Sequence, residues 1–157
     1  MSLDELYRET ILEYSQNPRN KRPLPEATGE ARGYNPLCGD DITVYVRLAG
    51  DRVAEATYTG RSCAICEASA SMLTEAVAGQ PIDEVERLIG LVKDSLTGQA
   101  PPPSADGWLT GELGELEALQ GVRRFPVRVK CATLSWNALQ QALAATGSPD
   151  KPVVTTE

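Results

Sequence analysis

Apolar positions along the chain alternate between helical and strand-like periods. At the start, Leu3, Leu6, Tyr7, Ile11 and Tyr14 recur at helical spacing and Ser2 and Glu5 stand at capping-box spacing, which predicts an amphipathic helix over 2–16. Asn17-Pro18-Arg19-Asn20 stops it, because proline lacks an N–H and disfavours helix in the residue before it. A loop through Pro23 and Pro25 comes next. Ile42, Val44, Val46 and Leu48 then alternate with Thr43, Tyr45 and Arg47, the period of a half-buried strand. Gly50-Asp51 supplies turn chemistry before a second extended run, Val53 to Thr59, so the pair predicts a β-hairpin.

Ser62 is placed to cap a helix from Cys63 to about Ala78, with Gly79 as its stop and Ile65, Met72 and Ala76 toward the core. Ile82, Val85, Leu88, Ile89, Val92 and Leu96 predict another helix that ends near Gly98. Three consecutive prolines make residues 97–107 an irregular loop, and a short helical piece is expected around Leu113 to Leu119. Pro126 suits the first turn of a final helix, continued by Leu134, Ala138, Leu139 and Leu143 to Gly147. The tail, 148–157, is expected to be flexible.

At 157 residues the chain has room for one domain with a real core, over its whole length 1–157. No apolar run approaches the roughly 18–20 residues needed to span a bilayer, and the acidic, amphipathic start is unlike a signal peptide. The expectation is a cytoplasmic protein with no membrane partner. A net charge of −7 argues against a general nucleic-acid binder. The absence of histidine excludes a Ser-His-Asp triad, a Cys-His pair or a His-ligated metal built from this chain alone. Thiols and carboxylates remain as the chemical equipment. Residues 75–120 hold nine acids and two bases, whereas 121–131 hold Arg123, Arg124, Arg128 and Lys130 with no acid, running directly into Cys131.

The four cysteines are Cys38, Cys63, Cys66 and Cys131. In a reducing compartment they are buried fillers, a redox pair or metal ligands, and their spacing matches no zinc-finger pattern. Cys38-Gly39-Asp40 precedes the first clear strand, where glycine permits a turn that aims a thiolate and a carboxylate at one point. Cys63 stands at a helix start, which favours the thiolate, and Cys131 lies early in another helix downstream of the four cations. Three thiolates and one carboxylate form a tetrahedral set typical of Zn²⁺ and leave a net charge of about −2, which the cations would offset. The single CxxC, Cys63 to Cys66, also admits a thioredoxin-like reading, although its setting is not βαβ and its spacer is apolar. Cys66 reads as a small packed thiol.

The segments LYRETILEYSQNPRNKRPLP, NPLCGDDI, CAICEASASMLTEAV and GELEALQGVRRFPVRVKCATLSWNALQQAL resemble the U-type iron-sulfur cluster assembly family (IscU/NifU-like), and within it the SufU branch, from residue 3 to about 145. The resemblance implies an α+β fold, a small antiparallel sheet packed against several helices. Carried over by motif, Cys38, Asp40, Cys63 and Cys131 fall on the metal and sulfur site and Arg128 on the arginine close to it. Isc-type members have histidine before the last cysteine and a Pro-Pro-Val-Lys signal upstream. Here Lys130 precedes Cys131 and the local sequence is Phe125-Pro126-Val127-Arg128. The proline-rich loop lies within a stretch resembling the insertion that marks the SufU branch. Cys66 stands where members of the family carry serine, which leaves a fifth potential ligand.

The resemblance implies a zinc-dependent sulfur-transfer protein that accepts persulfide sulfur from a pyridoxal-phosphate cysteine desulfurase (SufS-like) and passes it to the Suf cluster-assembly complex. The alternative is a scaffold that builds and transfers a [2Fe-2S] cluster on the same residues. A third reading makes zinc a folding staple. Among the thiols, Cys38 is expected to receive the sulfur, because it sits on a glycine-containing loop while Cys63 and Cys131 are anchored at helix starts.

Overall fold

The computed structural model describes residues 3–97, 114–123, 125–148 and 151–155. The expected proline-rich loop lies almost wholly outside the described residues. Helix α1 (Leu3–Gln16) is followed by strands β1 (Gly29–Asn35), β2 (Asp40–Ala49) and β3 (Arg52–Arg61). Then come α2 (Ala64–Val77), α3 (Ile82–Thr97), a 3-10 segment (Gly114–Val122), α4 (Pro126–Ala144) and a short β4 (Val153–Thr155). The result is an α+β fold with strand order β3-β2-β1-β4.

The β2–β3 hairpin forms as predicted, turning at Gly50 with φ of +64°. Ile42, Val44 and Val46 are buried, and a register shift between Arg47 and Leu48 ends the alternation, so Leu48 is only half-buried. β1 pairs antiparallel with β2, and β4 pairs parallel with β1. The sheet is antiparallel along β3-β2-β1 and adds one parallel pair, β1 with β4, which lies within the stretch expected as a tail and is held in part by the Arg32 N–H on the Pro152 carbonyl.

α4 is the central element, packed against β1 and β2 as well as α2 and α3. Its core residues include Cys131, Leu134, Trp136, Ala138 and Leu139, all fully buried. The inward positions of β1 are Gly29, Ala31, Gly33 and Asn35. A Cβ at Gly29 would lie 2.2 Å from the Ala142 carbonyl oxygen, so small residues are what let α4 lie against this strand. α2 is fastened to α4 by Ser69, whose hydroxyl donates to the Ala132 carbonyl at 2.6 Å and accepts from the Trp136 indole at 3.0 Å.

The Asn17-Pro18-Arg19-Asn20 loop is tied to the outer turns of α2. Arg19 N–H donates to Ser71 Oγ and the Asn20 amide donates to Thr74 Oγ1. Lys21 reaches Glu67, which also accepts from the buried Tyr58 hydroxyl. α1 buries Ile11 and half-buries Tyr7 and Tyr14 against α2 and the 3-10 segment. Leu6, expected inward, is 48% exposed, because its side of the helix has no packing partner in this contact.

Candidate metal centre

Three connections converge at one end of α4. The β1–β2 turn carries Cys38, with Gly39 at φ +69° and Asp40 as the first residue of β2. The positive φ favours glycine and allows a thiol and a carboxylate two residues apart to face one point. β3 leads into α2 through Cys63, and the first turns of α4 bring in Cys131.

Cys38 Sγ, Asp40 carboxylate oxygen and Cys131 Sγ all lie within 4.8 Å of one another. Cys131 Sγ is 3.1 Å from Cys38 Sγ. Cys63 lies outside this three-donor group but borders it, its Sγ being 3.9 Å from Asp40 Oδ2. These separations resemble the edges of a tetrahedron with metal–sulfur bonds of about 2.3 Å. The donor set therefore fits a thiophilic, tetrahedral metal such as zinc.

Asp40 and Cys131 are fully buried, whereas Cys38 and Cys63 are half-buried. Asp40 Oδ1 accepts the Cys63 backbone N–H at 2.8 Å, locking the carboxylate to the start of α2. Cys63, and not the expected Ser62, is the N-cap of α2, because its Sγ accepts the Cys66 N–H at 3.5 Å. The Cys63 thiol is lowered to about 7, first by its hydrogen bond with Cys131 and further by the Cys66 and Ile65 N–H groups. Cys131 moves up, through the same bond to Cys63, burial and its contact with Cys38. Cys63 is thus the first of this pair to become a thiolate.

Arg128, one turn before Cys131 and exposed, has its guanidinium charge favoured by Cys63 first, then by Cys131 and Cys38. Of the predicted cationic cluster it is the member seen to face the thiolates among the described residues. Arg124 lies outside them. Cys66 is fully buried and burial pushes its thiol up, as befits a packed residue. The predicted residues Cys38, Asp40, Cys63, Cys131 and Arg128 therefore meet in one place. One participant escaped the sequence reading: Asn35, fully buried, hydrogen-bonds both Asp40 and Cys131. Its position before a proline in a turn was the available signal.

Beside the centre, Tyr7, Ile11, Leu12, Ile65, Val122 and Phe125 line a cleft of about 450 Å³ whose rim includes Arg8 and Arg128. No helix among the described residues is long and apolar enough to cross a membrane.

Residues 6–132 match the NifU-like N terminal domain. The chain is 42% identical over 143 residues to the zinc-dependent sulfurtransferase SufU of Bacillus subtilis, covering 91% of this chain and 92% of that one. It is 36% identical over 141 residues to the iron-sulfur cluster assembly scaffold protein IscU of Streptococcus pyogenes, covering 90% and 84%. Among solved structures, a putative iron-sulfur cluster assembly scaffold protein for the SUF system from Fervidobacterium islandicum superposes with a TM-score of 0.78 at 26% identity, covering 90% of this chain and 99% of the other. Motif order, fold and full-length similarity agree, and the chain belongs to the NifU-like N-terminal domain family.

Proposed function

We propose that this protein is a zinc-dependent sulfur acceptor in iron-sulfur cluster assembly. The observation that carries the reading is the convergence of Cys38, Asp40 and Cys131 within 4.8 Å, with Cys63 at its border. Cys38, Asp40, Cys63 and Cys131 would hold the metal, and the name of the Bacillus relative, zinc-dependent, supports zinc as that metal. Bound zinc keeps thiolates deprotonated at neutral pH and masks them from oxidants.

Cys38 is the acceptor. It is half-buried on a turn, whereas Cys131 is fully buried in α4 and Cys63 caps α2. In the transfer the Cys38 thiolate attacks the outer sulfur of a persulfide on a cysteine desulfurase. A new S–S bond forms on Cys38, the partner's S–S bond breaks, and the partner's cysteine leaves as thiolate. Arg128 stabilises the negative charge gathered there. Leu37, beside Cys38, is 64% exposed, and Phe125 and Val127 at the start of α4 are 51% and 53% exposed. Such an apolar surface beside the centre suits a protein partner. A pyridoxal-phosphate desulfurase of the SufS type would supply the sulfur and the Suf complex would receive it, in the cytoplasm.

The test is metal analysis of protein purified without added metal, followed by reaction with desulfurase and cysteine and mass mapping. About one zinc per chain and one added sulfur on the Cys38 peptide are expected. Sulfur confined to Cys66 or Cys131 overturns the assignment. The second reading, a [2Fe-2S] scaffold, draws on the Streptococcus relative. It predicts visible absorption bands after anaerobic reconstitution with iron and sulfide, which zinc cannot produce.

A further inference from the structure

The NPLCGD segment contributes a third functional side chain besides its cysteine and its aspartate. Asn35 is the last residue of β1, fully buried, and faces Asp40 in the β1–β2 register. Its Nδ2 lies 3.3 Å from Asp40 Oδ2 and 3.5 Å from Cys131 Sγ, while its Oδ1 accepts the Leu37 backbone N–H at 3.3 Å. This amide orientation is the one the neighbours require, since a carboxylate and a sulfur take donors and an N–H takes an acceptor. One carboxamide therefore spans β1, β2, α4 and the turn that carries Cys38.

Both amide hydrogens are engaged by Asp40 and Cys131, which leaves none for Cys38. A hydrogen bond to a thiolate draws electron density from sulfur and lowers its nucleophilicity, and a donor on a carboxylate fixes its rotamer. Full burial raises the cost of losing either bond. We propose that Asn35 is a positioning residue of the sulfur-acceptor reaction: it holds Asp40 and Cys131 as the stationary donors, so that Cys38 is the thiol free to move. The inference rests on the reading of Cys38 as acceptor. Its physical core, the hold on Asp40 and Cys131, is measurable separately.

The experiment compares the full-length protein with Asn35→Leu, which keeps the size but removes the carboxamide and both of its donors, and with Asn35→Ala. Zinc affinity is measured by chelator competition and thiolate-to-metal absorption on the cobalt-substituted protein. Sulfur uptake is followed against desulfurase concentration. Expected are zinc affinities lower by about 10- to 100-fold, a charge-transfer band shifted to lower energy, and a fall in kcat without a rise in KM. Unchanged affinity and an unchanged band, even with a lowered melting temperature, overturn the proposal, since a merely structural asparagine would behave that way. Should neither variant fold, the cadmium-loaded wild type decides: a slowly exchanging Asn35 side-chain amide coupled to the metal supports the proposal, and a rapidly exchanging, uncoupled one overturns it. If wild-type protein takes up no sulfur at Cys38, the acceptor reading falls, while the zinc and cobalt measurements still decide for or against the hold of Asn35.

Discussion

Replacing Cys66 by serine separates a packed thiol from a metal ligand, because the two roles predict opposite losses. Cys66 is fully buried on α2 and stands outside the group of Cys38, Asp40 and Cys131, whose donor atoms lie within 4.8 Å of one another. The contact it makes toward the centre is through its backbone N–H on Cys63 Sγ, at 3.5 Å, which a side-chain change leaves in place. Serine puts a hydroxyl where a weakly polar thiol was packed. Burying that group without a partner costs about 1–3 kcal/mol, and less where it bonds back to a carbonyl one turn earlier in the helix. For a domain of this length that corresponds to a melting temperature lower by about 2–12 °C. Zinc content should stay at the wild-type value and sulfur uptake should follow the zinc. Calorimetry and elemental analysis on the same preparation read both quantities. Loss of zinc from Cys66→Ser, together with retention in Asp40→Ala, would make Cys66 the fourth donor in place of Asp40.

In metal-free protein, alkylation of Cys63 should reach half its maximal rate near pH 7, with Cys131 reacting only at higher pH; a Cys63 midpoint no lower than that of a free thiol contradicts the geometry. The sign for stability follows from the lowered value: Cys63 contributes stability above its unfolded pKa and loses it as pH falls through about 7, so metal-free protein should melt lower at pH 6 than at pH 8. Arg128→Ala should slow sulfur transfer about tenfold or more while zinc content and melting temperature stay near wild type, because the side chain is exposed and acts through charge on Cys63, Cys131 and Cys38; an unchanged transfer rate removes its role. Gly60→Ala should destabilise by about 2–4 kcal/mol and weaken zinc binding, since φ there is +123° and a Cβ would lie 2.1 Å from the Asp41 carbonyl oxygen, beside Asp40. Near-normal melting of that variant would show that the β2–β3 pairing can shift freely.

The hairpin and the helices were legible in the sequence because their apolar residues are large and periodic. Ile42, Val44 and Val46 mark β2, and Val85, Leu88, Ile89, Val92 and Leu96 mark α3. The family resemblance assigned Cys38, Asp40, Cys63, Cys131 and Arg128 to one site, whereas residue type and spacing alone left the thiols open between buried fillers, a redox pair and metal ligands. β1 was not legible. Its inward positions, Gly29, Ala31, Gly33 and Asn35, carry no large apolar side chain, and what makes them a strand is the pairing with β2 while α4 lies close against their small residues. β4 depends in the same way on the free edge of β1, which a three-residue segment cannot signal locally. The role of Asn35 and the anchoring of Cys63 on Asp40 are tertiary facts too, because each depends on atoms distant in sequence: Cys131 is 96 residues from Asn35, and Asp40 is 23 from Cys63. Residue type and period determine local elements and candidate donors. Burial and long-range hydrogen bonds decide which donors meet, which are held and which can move.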